Sequence, residues 1–164
     1  MHVLAGNLDE ARSHYAAAAA QWDAAEGRPA NIEMAALTNQ TLAVVALLQK
    51  DLPGAIRYLH QSVAAGSVDE STRAYQLLVG ALCASAGADL ERAAVLHGAA
   101  DALLGGIDEA WQPLEADLRE QDQHRLRESL GDEAFGSAYH TGKCLTKTDA
   151  VALALHSPHR DDRE

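Results

Sequence analysis

The sequence predicts an all-α chain, a right-handed stack of antiparallel helix hairpins closed by a helical C-terminal cap. Two observations predict it. Alanine and leucine recur at helical spacing along almost all of the 164 residues, while β-branched residues are sparse and aromatics make up 4%, which leaves little from which to build strands. One short pattern also occurs three times: Asn7-Leu8-Asp9-Glu10-Ala11, Asp51-Leu52-Pro53-Gly54-Ala55 and Asp89-Leu90-Glu91-Arg92-Ala93 superpose, with their leucines 44 and 38 residues apart. Self-similarity at such an offset is the mark of a stacked helical array.

Each copy of the pattern opens a helix. Asn or Asp is a good N-cap, Glu10 lies three residues beyond Asn7 as in a capping box, and Pro53 in a first turn costs no hydrogen bond. Behind the starts run matching inward positions: Ala11, Tyr15 and Ala18; Ala55, Leu59 and Ser62; Ala93, His97 and Ala100. Small residues at both ends of a triplet let two helices approach, and the larger one fills the gap between them. Partner helices are expected ahead of the second and third starts, over 31–49 and 69–86, with Leu42/Ala43/Ala46 and Gly80/Ala81/Ala84 in equivalent places. Ser67-Val68-Asp69-Glu70 caps the latter.

These residues resemble the tetratricopeptide repeat, whose pattern is a small residue in the middle of each first helix and an alanine one turn into each second helix. The offsets exceed the usual period of roughly 34 residues, so the expected form is a tetratricopeptide-like stack of elongated, divergent repeats. The resemblance implies that first helices line a concave face. Projected onto this chain, that face receives Leu37, Gln40, Val44 and Leu47 from one helix and Tyr75, Leu78, Leu82 and Ser85 from the next. Packing against the next layer is the competing role for each of them. A groove of this kind suits an amphipathic helix or peptide, or a small apolar inducer held by Gln40 and Tyr75.

The first repeat is incomplete, because only Met1 to Gly6 precede its helix. A solenoid unit buries its apolar face only on its neighbours, so Leu4, Leu8 and Tyr15 are expected to form a self-association edge. The chain is then a piece of something longer, or a short product that dimerises through this end.

After Gly105-Gly106 the repeat register is lost, which divides the chain into repeats over 1–106, a helical cap over 107–156 and a disordered tail over 157–164. Pro113 opens a helix of weak amphipathicity to about Leu130, Gly131 ends it, and Asp132 opens a short one through Phe135, Ala138 and Tyr139 that Gly142 ends. Thr146-Lys147-Thr148-Asp149 caps a last helix, Ala150 to Leu155. Trp111, beside the break, is expected to cover the end of the stack. The runs Glu91-Arg92-Ala93-Ala94-Val95-Leu96-His97-Gly98-Ala99-Ala100, Leu130-Gly131-Asp132-Glu133-Ala134-Phe135, Ala138-Tyr139-His140-Thr141-Gly142 and Asp149-Ala150-Val151-Ala152-Leu153-Ala154 resemble the C-terminal region of large ATPase-containing LuxR-type or MalT-like bacterial transcriptional regulators. That resemblance implies a sensory or interaction module, binding a protein, itself or an inducer. The family's nucleotide-binding and DNA-binding parts lie outside such a segment.

Charge and motifs narrow the functions further. A formal net charge of −11, from 24 acidic and 13 basic side chains, with no basic stripe, argues against direct nucleic-acid or membrane-surface binding. Neither a basic start with an apolar run nor a span of about 20 apolar residues is seen, so a cytoplasmic location is expected. Cys83 and Cys144 read as reduced, buried structural residues. His60 and His97 fall near packing positions, His14, His124 and His140 on the surface, and His156/His159 flank Pro158, so no metal site is expected. The carboxylate pairs Asp9/Glu10, Asp132/Glu133 and Asp161/Asp162 lie at helix starts or in the tail. Ser85, Ser129 and Ser137 lack a nucleophile's setting. Neither catalysis nor a cofactor is expected.

Overall fold

The computed structural model describes residues 7–23, 29–67 and 69–156, and all their regular structure is helical. Among the described residues eight helices follow one another: α1 (Leu8–Asp23), α2 (Pro29–Leu48), α3 (Leu52–Ala64), α4 (Glu70–Ala86), α5 (Leu90–Gly106), α6 (Pro113–Leu130), α7 (Asp132–Lys143) and α8 (Lys147–Ala154). The caps are local chemistry. Asp51 accepts from the Gly54 amide at 2.9 Å and Asp69 from the Thr72 amide at 2.7 Å, and Thr146 caps α8 through the Asp149 amide. Asp89, predicted to cap in the same way, makes no such bond and pairs instead with Arg92 Nε at 2.9 Å.

The internal repeat is visible in the backbone of the two hairpin turns. Lys50 and Ala88 both take positive φ, 62° and 64°. The residue after each donates back five positions, Asp51 N–H to the Ala46 carbonyl at 2.8 Å and Asp89 N–H to the Ala84 carbonyl at 2.9 Å. This is the wrap that satisfies the last carbonyls of a helix, built here on non-glycine residues at equivalent places. The turn fixes the angle at which α3 returns along α2 and α5 along α4.

Helices pack in sequence order, α1 on α2, α2 on α3, α3 on α4 and α4 on α5, with α2 also touching α4. The second and third triplets account for the closeness: Ala55, Leu59, Ser62, Ala93, His97 and Ala100 are all buried, as are Leu42, Ala43, Ala46, Ala81 and Ala84, whereas in the first triplet Ala11 and Ala18 are only half-buried and Tyr15 is exposed. Polar ties reinforce the layers. Ser62 donates to the Ala36 carbonyl at 2.7 Å and accepts from Gln76 at 2.9 Å, joining three helices, while Glu33 on α2 accepts from Ser67 and Thr72 at 2.5 Å each. Among the described residues one window, Asn31–Leu48 in α2, is apolar and long enough to cross a membrane by composition. Here α1, α3 and α4 cover it, and over half of it is buried.

Beyond α5 the chain wraps around what it has built. Helix α6 lies on α4 and α5, α7 on α5 and α6, and α8 returns to α4 and α5. Gly131, at φ 83°, provides the turn after α6 that the sequence suggests. Gly142 does not end α7 as expected, because the helix runs on to Lys143 and Gly142 is a contact point instead: a Cβ there would land on the Val95 carbonyl of α5.

Candidate functional site

The residues projected onto a concave face do not form an open groove. Gln40, Val44, Tyr75, Leu78 and Ser85 are buried, Leu47 and Leu82 are half-buried, and Leu37 alone is exposed, at 38%. The cause is α6. The Gln112 amide donates to the Tyr75 hydroxyl at 2.9 Å, Trp111 meets the Tyr75 ring edge-on at 5.0 Å, and Ser85 donates to Asp122 at 2.7 Å. Leu114 and Leu118 of α6 pack on the cluster that holds Val44 and Val79. An inducer held by Gln40 and Tyr75 therefore has no opening at Tyr75. At the predicted self-association edge Leu8 is half-buried and Tyr15 is 41% exposed, whereas Leu4 lies outside the described residues.

Two carboxylates that the sequence reading passed over organise the seam where α6 meets α5. His97 is fully buried, and its Nε2 lies 2.8 Å from Asp122 Oδ2. Its Nδ1 has no partner. A buried N–H without an acceptor costs more than a bare lone pair, which places the ring proton on Nε2. Asp122 Oδ1 accepts from Ser85, and Arg125 Nη2 donates to Ser85 Oγ at 2.7 Å and to Asp122 Oδ1. Burial pushes the Asp122 carboxyl upward, but the bonds from His97 and Ser85 outweigh it and hold the group below its ordinary value. A serine, a histidine and an aspartate thus meet, yet Ser85 gives its proton to the carboxylate and not to the imidazole. The contacts suit locking α4, α5 and α6 together rather than nucleophilic attack.

The second carboxylate, Asp101 on α5, gathers the cap. Arg119 reaches it twice, Nε to Oδ1 at 2.6 Å and Nη2 to Oδ2 at 2.5 Å. Trp111 Nε1 donates at 3.0 Å, the Tyr139 hydroxyl at 2.6 Å and Gln123 at 3.2 Å. Burial raises the carboxyl of Asp101, and the bonds from Arg119 and Tyr139 with the Arg119 charge more than reverse this. Both aspartates therefore contribute stability that is present above the unfolded value of about 3.9 and is lost as pH falls through their lowered folded values. Acid titration followed by near-ultraviolet dichroism and tryptophan fluorescence should show the wild type unfolding below about pH 4. Asp122→Asn should flatten that dependence, and an unchanged profile in the variant would contradict this assignment.

A cavity of about 330 Å³ opens between α4 and α6, lined by Leu82, Leu118, Gln121, Asp122 and Arg125. A wider hollow of about 710 Å³ lies beside α1, but its side chains Asp9, Arg12, Gln49 and Asp51 already bond to one another. Elsewhere two expectations change. His60 is exposed rather than packed, and Cys144 is exposed, with its Sγ 4.0 Å from His140. Cys83 is buried, and burial pushes its thiol up to about 12. Among the described residues no group of three His, Cys, Asp or Glu side chains could hold a metal ion. Comparison with known proteins returns no match, neither a family model nor a curated protein nor a solved structure.

Proposed function

We propose that the chain is a non-catalytic, tetratricopeptide-like interaction module of a cytoplasmic bacterial transcriptional regulator, engaging a protein partner or a second copy of itself. The observation that carries the binding role is the placement of apolar surface. Among the described residues the exposed large hydrophobic side chains, Tyr15 at 41%, Ile32 at 40%, Met34 at 42% and Leu37 at 38%, all lie on α1 and α2, at one end of the stack. Met34 and Leu37, three residues apart, share the outward face of α2, and apolar side chains that share a face mark interaction sites more often than singly scattered ones. The repeated turns at Lys50 and Ala88 and the buried triplets support the tetratricopeptide-like form. The regulator assignment rests on the resemblance of residues 89–155.

Sedimentation velocity across a concentration series tests the self-association form. The wild type is expected to gain mass with concentration, and Met34→Asp with Leu37→Asp to weaken that association at least tenfold, about 1.4 kcal/mol. A strictly monomeric wild type that also captures no partner in a pull-down would overturn the proposal. The cavity between α4 and α6 favours a second reading, a sensor of a small-molecule inducer. Thermal-shift screening against metabolites tests it, since a ligand binding only the folded chain raises its melting temperature.

A further inference from the structure

We infer that the open side of α2 is a helix-docking seam whose occupant is α2 of a second copy, packed antiparallel about a two-fold axis near Leu37; this specifies the self-association form proposed above and rests on it. The internal repeat shows what the seam is built to hold. The turns at Lys50 and Ala88 correspond at an offset of 38 residues, so each position of α2 has a counterpart in α4. Thr72 and Val79 lie on the side of α4 that meets α2: Thr72 donates to Glu33 at 2.5 Å, and Val79 shares an apolar cluster with Val44. Their counterparts one layer back are Met34 and Thr41. Thr72 and Val79 are buried, whereas Met34 is exposed and Thr41 half-buried. Helix α1, which opens with the same sequence pattern as α3, packs on α2 as α3 packs on α4. What the described residues lack is a helix lying on α2 in the place that α2 holds on α4.

The chemistry of the stripe selects its occupant. Met34, Leu37 and Thr41 are spaced by three and four residues and so form one stripe over two turns. The Thr41 hydroxyl donates to the Leu37 carbonyl of its own helix at 3.0 Å, so covering the stripe strands no donor. Between Pro29 and Leu48 the one charged residue is Glu33, and its two oxygens already accept from Ser67 and Thr72. A basic or an acidic partner helix would find nothing on α2 to pair with. The chain's net charge of −11 is carried elsewhere, so two copies of α2 bring no facing like charges together. An uncharged stripe of this kind is matched by itself. Antiparallel pairing sets Met34 of one copy against Thr41 of the other and Leu37 against Leu37, which is the isologous contact of a closed dimer. Ile32, two residues before Met34, falls on another side of the helix and stays outside the seam. Two turns of helix bury less than the roughly 800 Å² per partner of a stable complex, so the dimer is a weak one.

Sedimentation equilibrium of the full chain, run up to about 1 mM to reach weak association, should fit monomer and dimer with nothing larger. Raised salt should leave the dimer unchanged or tighten it, because no ion pair spans the seam. In a Cys144→Ser background, which removes the exposed native thiol, Leu37→Cys treated with diamide should form a disulfide-linked dimer at least about tenfold faster than His60→Cys, at an exposed position on α3, since docking raises the effective concentration of the paired thiols. Leu37→Asp should return the chain to monomer with its helical dichroism intact, the side chain being partly exposed to begin with. Equal cross-linking of the two cysteine variants, species that grow past the dimer, or association that weakens as salt is raised would each overturn the seam. A dimer that survives Leu37→Asp overturns it too and leaves self-association through another surface standing. A strictly monomeric chain that captures a foreign protein overturns the second copy as occupant and leaves the interaction module standing.

Discussion

Asp101→Ala is expected to destabilise the chain by about 3 kcal/mol, the range for removing one partner from a buried charged network. For a chain of this length that corresponds to a fall in melting temperature of roughly 6–12 °C. One carboxylate receives Arg119, Trp111, Tyr139 and Gln123, which come from α6, α7 and the loop between α5 and α6. Its removal leaves the Arg119 guanidinium half-buried without its counter-charge and strands two aromatic donors. The Arg12–Asp51 pair sets the scale for comparison. It joins α1 to the turn before α3 at 2.8 Å, but both side chains are about a third exposed, so Arg12→Ala should cost less than about 1 kcal/mol. Asp101→Asn keeps the shape, loses the charge and should fall between the two. Thermal and urea denaturation followed by circular dichroism measure all three. If Asp101→Ala proved no worse than Arg12→Ala, the carboxylate would not be what holds the cap on the repeats.

The weight that falls on Asp101 and Asp122 also explains why the helix starts after Gly106, at Pro113, Asp132 and Thr146, were legible in the sequence while the packing of those helices was not. In the repeats the signal is apolar periodicity, small residues at fixed spacing and Asp at helix starts, and each has a direct physical counterpart. Ala55, Leu59 and Ser62 are inside because they face the neighbouring helix, and the turns at Lys50 and Ala88 superpose because the pattern after them does. Helix α6 breaks the rule. Its buried residues are Asp122, Gln123 and Leu126, and its inward stripe is therefore mostly polar. A search for apolar faces reads such a helix as weakly amphipathic and partly exposed. The clue present in the sequence was the spacing of Arg119, Asp122, Gln123 and Leu126 by three or four residues, which puts them on one side of a helix.

The candidate groove shows the same limit from the other direction. Projection of Tyr75, Leu78, Leu82 and Ser85 onto one face of α4 was geometrically sound, since these residues do lie on a common side. Periodicity within a helix says which residues share a face but not what covers it. Here the cover is α6, drawn down by hydrogen bonds from Ser85 and to Tyr75. At Leu37 on α2 no such cover arrives, and the side chain remains exposed. Gly142 was misread for a related reason: glycine after a short helix suggests a stop, whereas this glycine permits two backbones to touch.

That contact yields the second large effect. Gly98→Ala and Gly142→Ala should each cost about 3 kcal/mol, at the upper end of what overpacking costs. The two glycines sit where α5 and α7 cross, and an added Cβ would meet the Tyr139 carbonyl in one case and the Val95 carbonyl in the other. Those obstacles are main-chain atoms inside helices, so no side chain can swing aside. The remaining response is for α7 to move off α5, which breaks the Tyr139–Asp101 bond and separates Phe135 from the main apolar cluster. Gly136→Ala on α7 is the control. Nothing lies within 4 Å of its added Cβ, and removal of a glycine from a helix interior should stabilise by about 0.5–1 kcal/mol. Urea unfolding of the three variants separates steric conflict from helix propensity by the sign of the change. Because either of the first two already lifts α7 from α5, the Gly98→Ala/Gly142→Ala double variant should lose less than the sum of the singles. Full additivity would show that the two glycines do not act on one shared crossing.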